Sequence, residues 1–258
     1  MKKNILSVVL AVYNEENNLT ECLKSIKDIA DEIVVVDGGS TDNTVVVAKN
    51  FNSIVIKTNN PPNFHINKNK AINVASGEWI LQLDADEVVS KELLNEIKKV
   101  VNTKSNINGY WIPRRNFFLG RFLKKGGQYP DYTLRLYRKG FGRLPAKDVH
   151  EQAVVDGKTG YFKNDLLHMR DKTFSIYIER FNRYTNLLAS QLKEVGVKIS
   201  VFSFVNYMVV RPLVWFIKVY FRNRGYVDGF PGFVFVLFSS LRFPVAYIKL
   251  WSNRENSS

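Results

Sequence analysis

The sequence predicts an α/β protein: a doubly wound, mostly parallel sheet flanked by helices, followed by an apolar, basic helical extension. Three observations lead there. Short continuous apolar runs recur at 5–12, 33–36, 53–56 and 79–83, as strands buried on both faces require. Each of the first three leads into a polar loop and then a helix-spaced segment before the next strand, and this alternation predicts right-handed β-α crossovers. After Gly196 the composition changes to aromatic and aliphatic residues studded with cations.

The first strand meets its helix at Asn14 and Glu15, and Leu19, Cys22, Leu23, Ile26 and Ile29 then recur at helical spacing. The second ends in Asp37-Gly38-Gly39-Ser40-Thr41-Asp42. Its glycines permit a tight turn with positive φ, and Ser40 or Thr41 can cap a helix over 45–51. The third leads through a Pro and Asn loop to a helix around 68–75. The fourth belongs to Gly77-Glu78-Trp79-Ile80-Leu81-Gln82-Leu83-Asp84-Ala85-Asp86-Glu87. Asp84 and Asp86 therefore stand at its carboxyl end, where residues two apart project to one side and can converge on a hard cation. Taken alone they are equally well the polar loop that follows a strand.

In a doubly wound sheet the ligand crevice lies outside the carboxyl ends of the strands. Asn14, Glu15, Asp37, Asp84 and Asp86 all fall there, which favours a site. No Gly-x-Gly-x-x-Gly follows the first strand, and no Gly-x-x-x-x-Gly-Lys-Ser/Thr occurs anywhere, so neither a dinucleotide fold nor a P-loop is supported. Carboxylates holding Mg²⁺ or Mn²⁺ against a diphosphate are the substitute.

The formal charge of +13, from 37 Lys and Arg against 24 Asp and Glu, calls for a polyanionic neighbour: nucleic acid, an anionic membrane or a phosphate-rich small molecule. A single cysteine, Cys22, excludes an intrachain disulfide framework and fits a reducing compartment. Its apolar helical position makes it a packing residue. The basic start and short apolar run at the N-terminus lack a cleavage site, so a cytosolic start is expected.

The segments VYNEENNL at 12–19, VVDGGSTDNT at 35–44, KNKAINVASGEWILQLDADE at 68–87 and VHEQ at 149–152 together resemble the family 2 glycosyltransferases, inverting nucleotide-sugar enzymes of the GT-A fold. That resemblance implies a UDP-sugar donor, with Val12, Asn14, Glu15 and Asp37 lining the nucleoside pocket and Lys68 near the base or diphosphate. It implies that Asp84 faces ribose and metal and that Asp86 ligates the metal. Glu151 becomes the base that takes the acceptor proton, with His150 orienting it or contacting acceptor, and His168 a further metal ligand or a structural histidine.

Between these segments lies an Arg-, Gly- and aromatic-rich stretch, 111–142, which in similar enzymes shapes the acceptor site. Arg135 and Arg138 are expected to share one face of a strand and to bind a diphosphate or an anionic acceptor, or else to be a solvated basic face. Asp131, in a turn, is a candidate for sugar hydroxyls. The catalytic domain is placed at 1–170, with a nucleotide-sugar half to about 105 and an acceptor half over 106–170. A long helix is expected from about Thr173 to Val195.

The region 171–258 is read as helical, membrane-associating or oligomerising. Its runs 201–221 and 230–250 reach the ~20 residues that span a bilayer, but Arg211, Lys218, Arg242 and Lys249 interrupt them. A central arginine costs ~2.5–3.5 kcal/mol on insertion scales. Arg211, Lys218 and Arg222 fall on one side of a regular helix, so an interfacial helix on anionic lipid, through 201–250, is the reading; a helical subdomain packing on the core or on a second subunit is the other. The pattern Phe221-Arg222-Asn223-Arg224-Gly225-Tyr226-Val227-Asp228-Gly229 resembles the tails of bacterial lipopolysaccharide inner-core β-glucosyltransferases. This implies transfer of glucose to a lipid-linked saccharide at the cytoplasmic membrane face, with a polyprenyl-phosphate acceptor as the rival. A sugar nucleotidyltransferase would need a glycine-rich basic loop where Tyr13-Asn14-Glu15-Glu16 stands, and a nucleic-acid binder an accessible stripe of cations and aromatics. No nucleic acid is expected.

Overall fold

The computed structural model describes residues 5–61, 63–145 and 152–255. Strands β1 (Leu6–Val12), β2 (Glu32–Asp37), β3 (Ile54–Lys57) and β4 (Trp79–Gln82) alternate with helices α1 (Glu16–Ile26), α2 (Thr44–Asn50) and α3 (His65–Val74). β1 pairs in parallel with β2 and β4, and β2 with β3. Val8, Val9, Leu10, Val34, Val35, Val36, Ile80 and Leu81 are all fully buried, because cover on both faces leaves no polar side for alternation to mark.

The chain continues as β5 (Glu87–Val89), α4 (Lys91–Val101), β6 (Ile107–Phe118), β7 (Arg121–Phe122), β8 (Asp131–Arg138), β9 (Gly142–Arg143), β10 (Val154–Val155), β11 (Lys158–Tyr161) and β12 (Leu166–Asp171). Among the described residues ten strands form one sheet in the order β3-β2-β1-β4-β8-β6-β12-β5, with β7 and β11 paired to β6. β8 runs antiparallel to β4, with Trp79 opposite Arg138 and Leu81 opposite Leu136. Its Asp131 end therefore lies beside the carboxyl end of β4. This antiparallel insertion brings β8 side chains to the crevice.

Among the described residues the chain divides into two compact units, Met1–Arg114 with Asp131–Met169, and Arg115–Pro130 with Arg170–Ser258. The first has a core of Leu6, Leu10, Leu19, Leu23, Trp79 and Leu93 between sheet and helices. The second holds α5 (Phe174–Glu194), whose cap Thr173 accepts a hydrogen bond from the Ile176 N–H, and two apolar helices, Val201–Arg222 and Gly229–Glu255. Among the described residues, two helical stretches, Val201–Arg222 and Gly225–Asn253, are long and apolar enough to cross a membrane. Tyr207, Ala246, Tyr247 and Leu250 pack together there, as do Phe118, Leu123, Tyr177 and Val234. The Val201–Arg222 helix widens to π-type turns at Asn206–Val210 and Lys218–Arg222. Pro212 follows the first of these, where its missing N–H would break a regular ladder. Arg211 and Lys218 are joined by the regular α-helical segment Arg211–Ile217, and Lys218–Arg222 turns more widely.

Candidate active site

The first two strand ends are stitched to each other. Asn14, in the left-handed region at φ 54°, donates its N–H to the Ser40 hydroxyl at 2.9 Å, and its Oδ1 accepts the Thr41 N–H at 2.8 Å. The Asp37 carboxylate, almost fully buried, accepts the N–H groups of Gly39 and Ser40. Val12 is buried opposite Asp37 in the sheet register. Ser40 and Thr41 thus serve the loop and do not cap α2. That helix begins at Thr44, whose N–H donates to Asp42.

Glu15 anchors the start of α1 through its N–H to the Thr44 hydroxyl at 2.7 Å, and its carboxyl accepts from Asn18. Burial pushes its pKa up, the Asn18 bond opposes this, and the negative charges of Asp86, Asp84 and Asp42 add to the rise. A raised carboxyl pKa means that ionised Glu15 costs stability once the pH passes its unfolded value of ~4.3. Glu15→Gln, which keeps an acceptor for Asn18, is therefore expected to raise Tm at about pH 7 and to change it little near pH 4. Equal shifts at both pH values in thermal melts would show that the charge is not the cause.

At the carboxyl end of β4, cations and carboxylates alternate in a ladder. Lys68 on α3 and Arg135 on β8 grip opposite oxygens of Asp84, the arginine at 2.6 Å. Arg135 also donates to Glu87 at 2.7 Å. Arg114 on β6 lies 3.5 Å from Glu87 and donates to Asp131 at 2.7 Å. Glu87, 0% exposed, also accepts the Asp84 N–H at 2.9 Å. Burial alone would raise the pKa of Asp84, but Arg135 and Lys68 outweigh it and hold the acid well below its usual range. Burial lowers the pKa of Lys68, Asp84 opposes that, and Arg135 adds to it.

Asp86 points elsewhere. Its Oδ2 lies 3.3 Å from His168 Nε2, because β12 pairs with β5 and the Met169 N–H donates to the Asp86 carbonyl at 2.8 Å. A carboxylate oxygen beside an imidazole nitrogen suits a first-row divalent cation. The two acids predicted to converge instead have separate partners. Among the described residues no group of three or more His, Cys, Asp and Glu side chains is assembled for a metal. Cys22, fully buried, directs its Sγ to the Asp84 carbonyl at 3.5 Å, and burial pushes its pKa well up, as for a packing thiol.

Other expected residues fall differently. Arg138 pairs with Glu78 and lies 4.5 Å over the Trp79 ring. It also lies opposite the first residue of β4, away from the carboxyl end. Asp131 opens β8 bound to Arg114. Glu151 and His150 lie outside the described residues. Their neighbour Gln152 accepts a hydrogen bond from the Thr133 hydroxyl at 3.1 Å. Glu87 and Arg114 enter the ladder without having been singled out in the sequence. Gln82 is buried with neither amide atom bonded; an amide inside an apolar strand was its signal.

The family model for Glycosyl transferase family 2 matches residues 7–167. The lipopolysaccharide core biosynthesis glycosyltransferase LpsC of Rhizobium meliloti (strain 1021) is 30% identical over 239 residues, covering 89% of this chain and 85% of its own. An uncharacterized glycosyltransferase of Rickettsia typhi is 29% identical over 256 residues, covering 94% and 85%. Among solved structures, the mannosyltransferase PcManGT from Pyrobaculum calidifontis, in complex with GDP-Man and Mn²⁺, aligns with a TM-score of 0.54 over 97% of this chain and 88% of that one, at 13% identity. That last likeness is one of fold. The chain belongs to glycosyl transferase family 2 and is a glycosyltransferase of the GT-A fold.

Proposed function

We propose that the protein transfers a hexose, glucose first among the candidates, with inversion from a UDP-sugar to a hydroxyl of a lipid-linked saccharide such as lipopolysaccharide core. The observation that carries the reading is the ladder of cations and carboxylates at the strand ends, with Asp86 turned to His168 beside it. The acceptor class rests on the name and coverage of the Rhizobium relative. A polyprenyl-phosphate acceptor is the second reading, favoured only by the apolar second unit.

In this proposal Val12, Asn14, Glu15 and Asp37 form the nucleoside side of the pocket. Their loops are already fixed by hydrogen bonds, so binding has little backbone to order. Asp86 and His168 would hold Mg²⁺ or Mn²⁺, which supplies neutralising charge for the leaving diphosphate. Lys68 and Arg135 add fixed positive charge next to Asp84, set in place before reaction. The acceptor oxygen attacks the anomeric carbon in line, the bond to the UDP oxygen breaks with its electron pair, and the acceptor proton passes to the Glu151 carboxylate. That choice is supported by Gln152, the next residue, bonded to Thr133 two residues from Arg135. Attachment to the inner face of the membrane would run through the helices over 201–250. Self-association through the same region is the competing use of that surface.

The test is UDP release with UDP-glucose, UDP-galactose, UDP-N-acetylglucosamine and GDP-mannose, with Mn²⁺ or Mg²⁺ and truncated lipopolysaccharide as acceptor. One UDP-sugar should support release and, at 100 times its Kd, add ~2.7 kcal/mol of stability. Glu151→Gln should cut kcat by about 10²–10⁴-fold with donor stabilisation retained. Near-normal turnover in that variant would move the base elsewhere, and stabilisation by GDP-mannose alone would overturn the donor.

A further inference from the structure

The second unit contains a built cationic surface that the transfer reaction does not use. The loop from Arg121 to Gln128 lies against the turn between the two apolar helices, and backbone bonds hold it there. The Asp228 carboxylate, 1% exposed, accepts the Lys124 N–H at 2.9 Å and the Lys125 N–H at 2.9 Å. The Gly126 N–H donates to the Asn223 carbonyl at 2.9 Å. Gly126 has φ 67° and Gly127 φ 74°, so the loop needs the left-handed backbone that glycine adopts freely. A Cβ on Gly225 would meet the Val219 carbonyl oxygen at 3.0 Å and Val236 Cγ2 at 2.9 Å, and one on Gly232 would meet the Gly225 carbonyl oxygen at 2.3 Å. Bare backbone is what lets loop, turn and helix close on one another.

The consequence is a fixed group of charges. Lys124 and Lys125 precede the residue bonded to Asn223, while Arg222 and Arg224 flank Asn223. All four side chains are exposed. Among the described residues none of the four forms an ion pair, and the turn's one acid, Asp228, is buried with its oxygens engaged by the loop N–H groups and faced by Arg121. Around them Phe221, Tyr226 and Phe230 are exposed, Phe230 at 74%. Clustered cations bordered by exposed aromatics, at one end of two long apolar helices, match a membrane-water interface better than bulk water.

We infer that the 121–128 loop and the 222–230 turn form a binding site for the phosphate headgroups of anionic bilayer lipids, with Asp228 as the residue that positions it. The inference rests on the membrane reading above and localises it: recognition comes from this loop and turn, half of which lies outside the apolar helices. Two paired N–H bonds to a buried carboxylate fix the lysine backbones. Their ammonium groups and the two guanidinium groups then face one small area of anionic headgroups.

The experiment is flotation of the full chain with phosphatidylcholine vesicles, with and without phosphatidylglycerol. Wild type should float only with the anionic vesicles. Each cation near the surface contributes roughly fivefold to partitioning, so Lys124→Ala/Lys125→Ala and Arg222→Ala/Arg224→Ala should each weaken it roughly 25-fold. Lys27→Ala/Lys49→Ala removes the same charge from exposed positions on the first unit and should change it by less than about twofold, since neither residue belongs to the loop or the turn. Asp228→Asn makes the protein more cationic yet should weaken binding, because the loop loses its anchor; its melting curve shows whether the fold survives. Equal losses in the paired variants and the Lys27/Lys49 control, or tighter binding by a folded Asp228→Asn, would overturn the site. Displacement by inorganic phosphate at lipid-equivalent concentration would replace the lipid with a free anion as ligand. A wild type stabilised by UDP-sugar that does not float refutes this inference alone, whereas one that floats without responding to any UDP-sugar refutes the donor reading and leaves the inference standing.

Discussion

Glu87→Ala should lower stability by ~3–5 kcal/mol, the cost of leaving buried charge without its partner. Glu87 is 0% exposed and receives Arg135 at 2.7 Å, the Asp84 N–H at 2.9 Å and Arg114 at 3.5 Å. With it present, three cations (Lys68, Arg135, Arg114) face three carboxylates (Asp84, Glu87, Asp131). Without it the ladder carries an unbalanced positive charge, and the Asp84 N–H loses its acceptor. Glu87→Gln retains an acceptor but not the charge, and should fall between wild type and alanine. The contrast is the exposed pair Arg143 and Asp156, whose side chains are 64% and 62% accessible. Arg143→Ala should cost less than about 1 kcal/mol. Urea denaturation measures both. A Glu87→Ala loss no larger than the Arg143→Ala loss would mean that water reaches the ladder and screens it.

That ladder marks where sequence reading stopped. Three of the four parallel strands were legible because a strand covered on both faces is a continuous apolar run, and 5–12, 33–36 and 79–83 are such runs; Ile54–Lys57, at the sheet's edge, is partly exposed. Asn14, Asp37, Asp84 and Asp86 followed from one topological rule about strand ends. Arg135 was legible as a strand residue, but its partner was not: nothing local says that β8 enters antiparallel to β4 and brings Arg135 onto Asp84. Glu87 and Arg114 were hidden for the same reason, their bonds spanning 48 residues to Arg135 and 17 to Asp131. Arg138 was read together with Arg135, but it pairs with Glu78 opposite the first residue of β4.

Asp86→Asn is expected to lower kcat by about 10²–10³-fold, the scale of losing one preorganised electrostatic contact to a transition state, with little change in stability. Its side chain is 21% exposed and, among the described residues, faces His168 and not the ladder cations, so the neutral amide leaves the ladder's charges paired. His168 decides what the lost activity means. If Asp86 and His168 share a cation, either single substitution removes most of its binding, and the double variant should be little worse than Asp86→Asn. A double-mutant cycle on kcat/KM should then show ~0.5–3 kcal/mol of coupling. The Mn²⁺ concentration for half-maximal activity should rise in His168→Asn while turnover at saturating metal largely returns. If instead His168 only packs under β5, the effects will add and excess Mn²⁺ will rescue nothing. The same cycle between Asp84 and His168 should show far weaker coupling. Asp84 has its oxygens on Lys68 and Arg135, so its loss disturbs the cations of the ladder and not the metal pair. Strong Asp84–His168 coupling would show that donor binding pulls Asp84 off those cations and onto the metal.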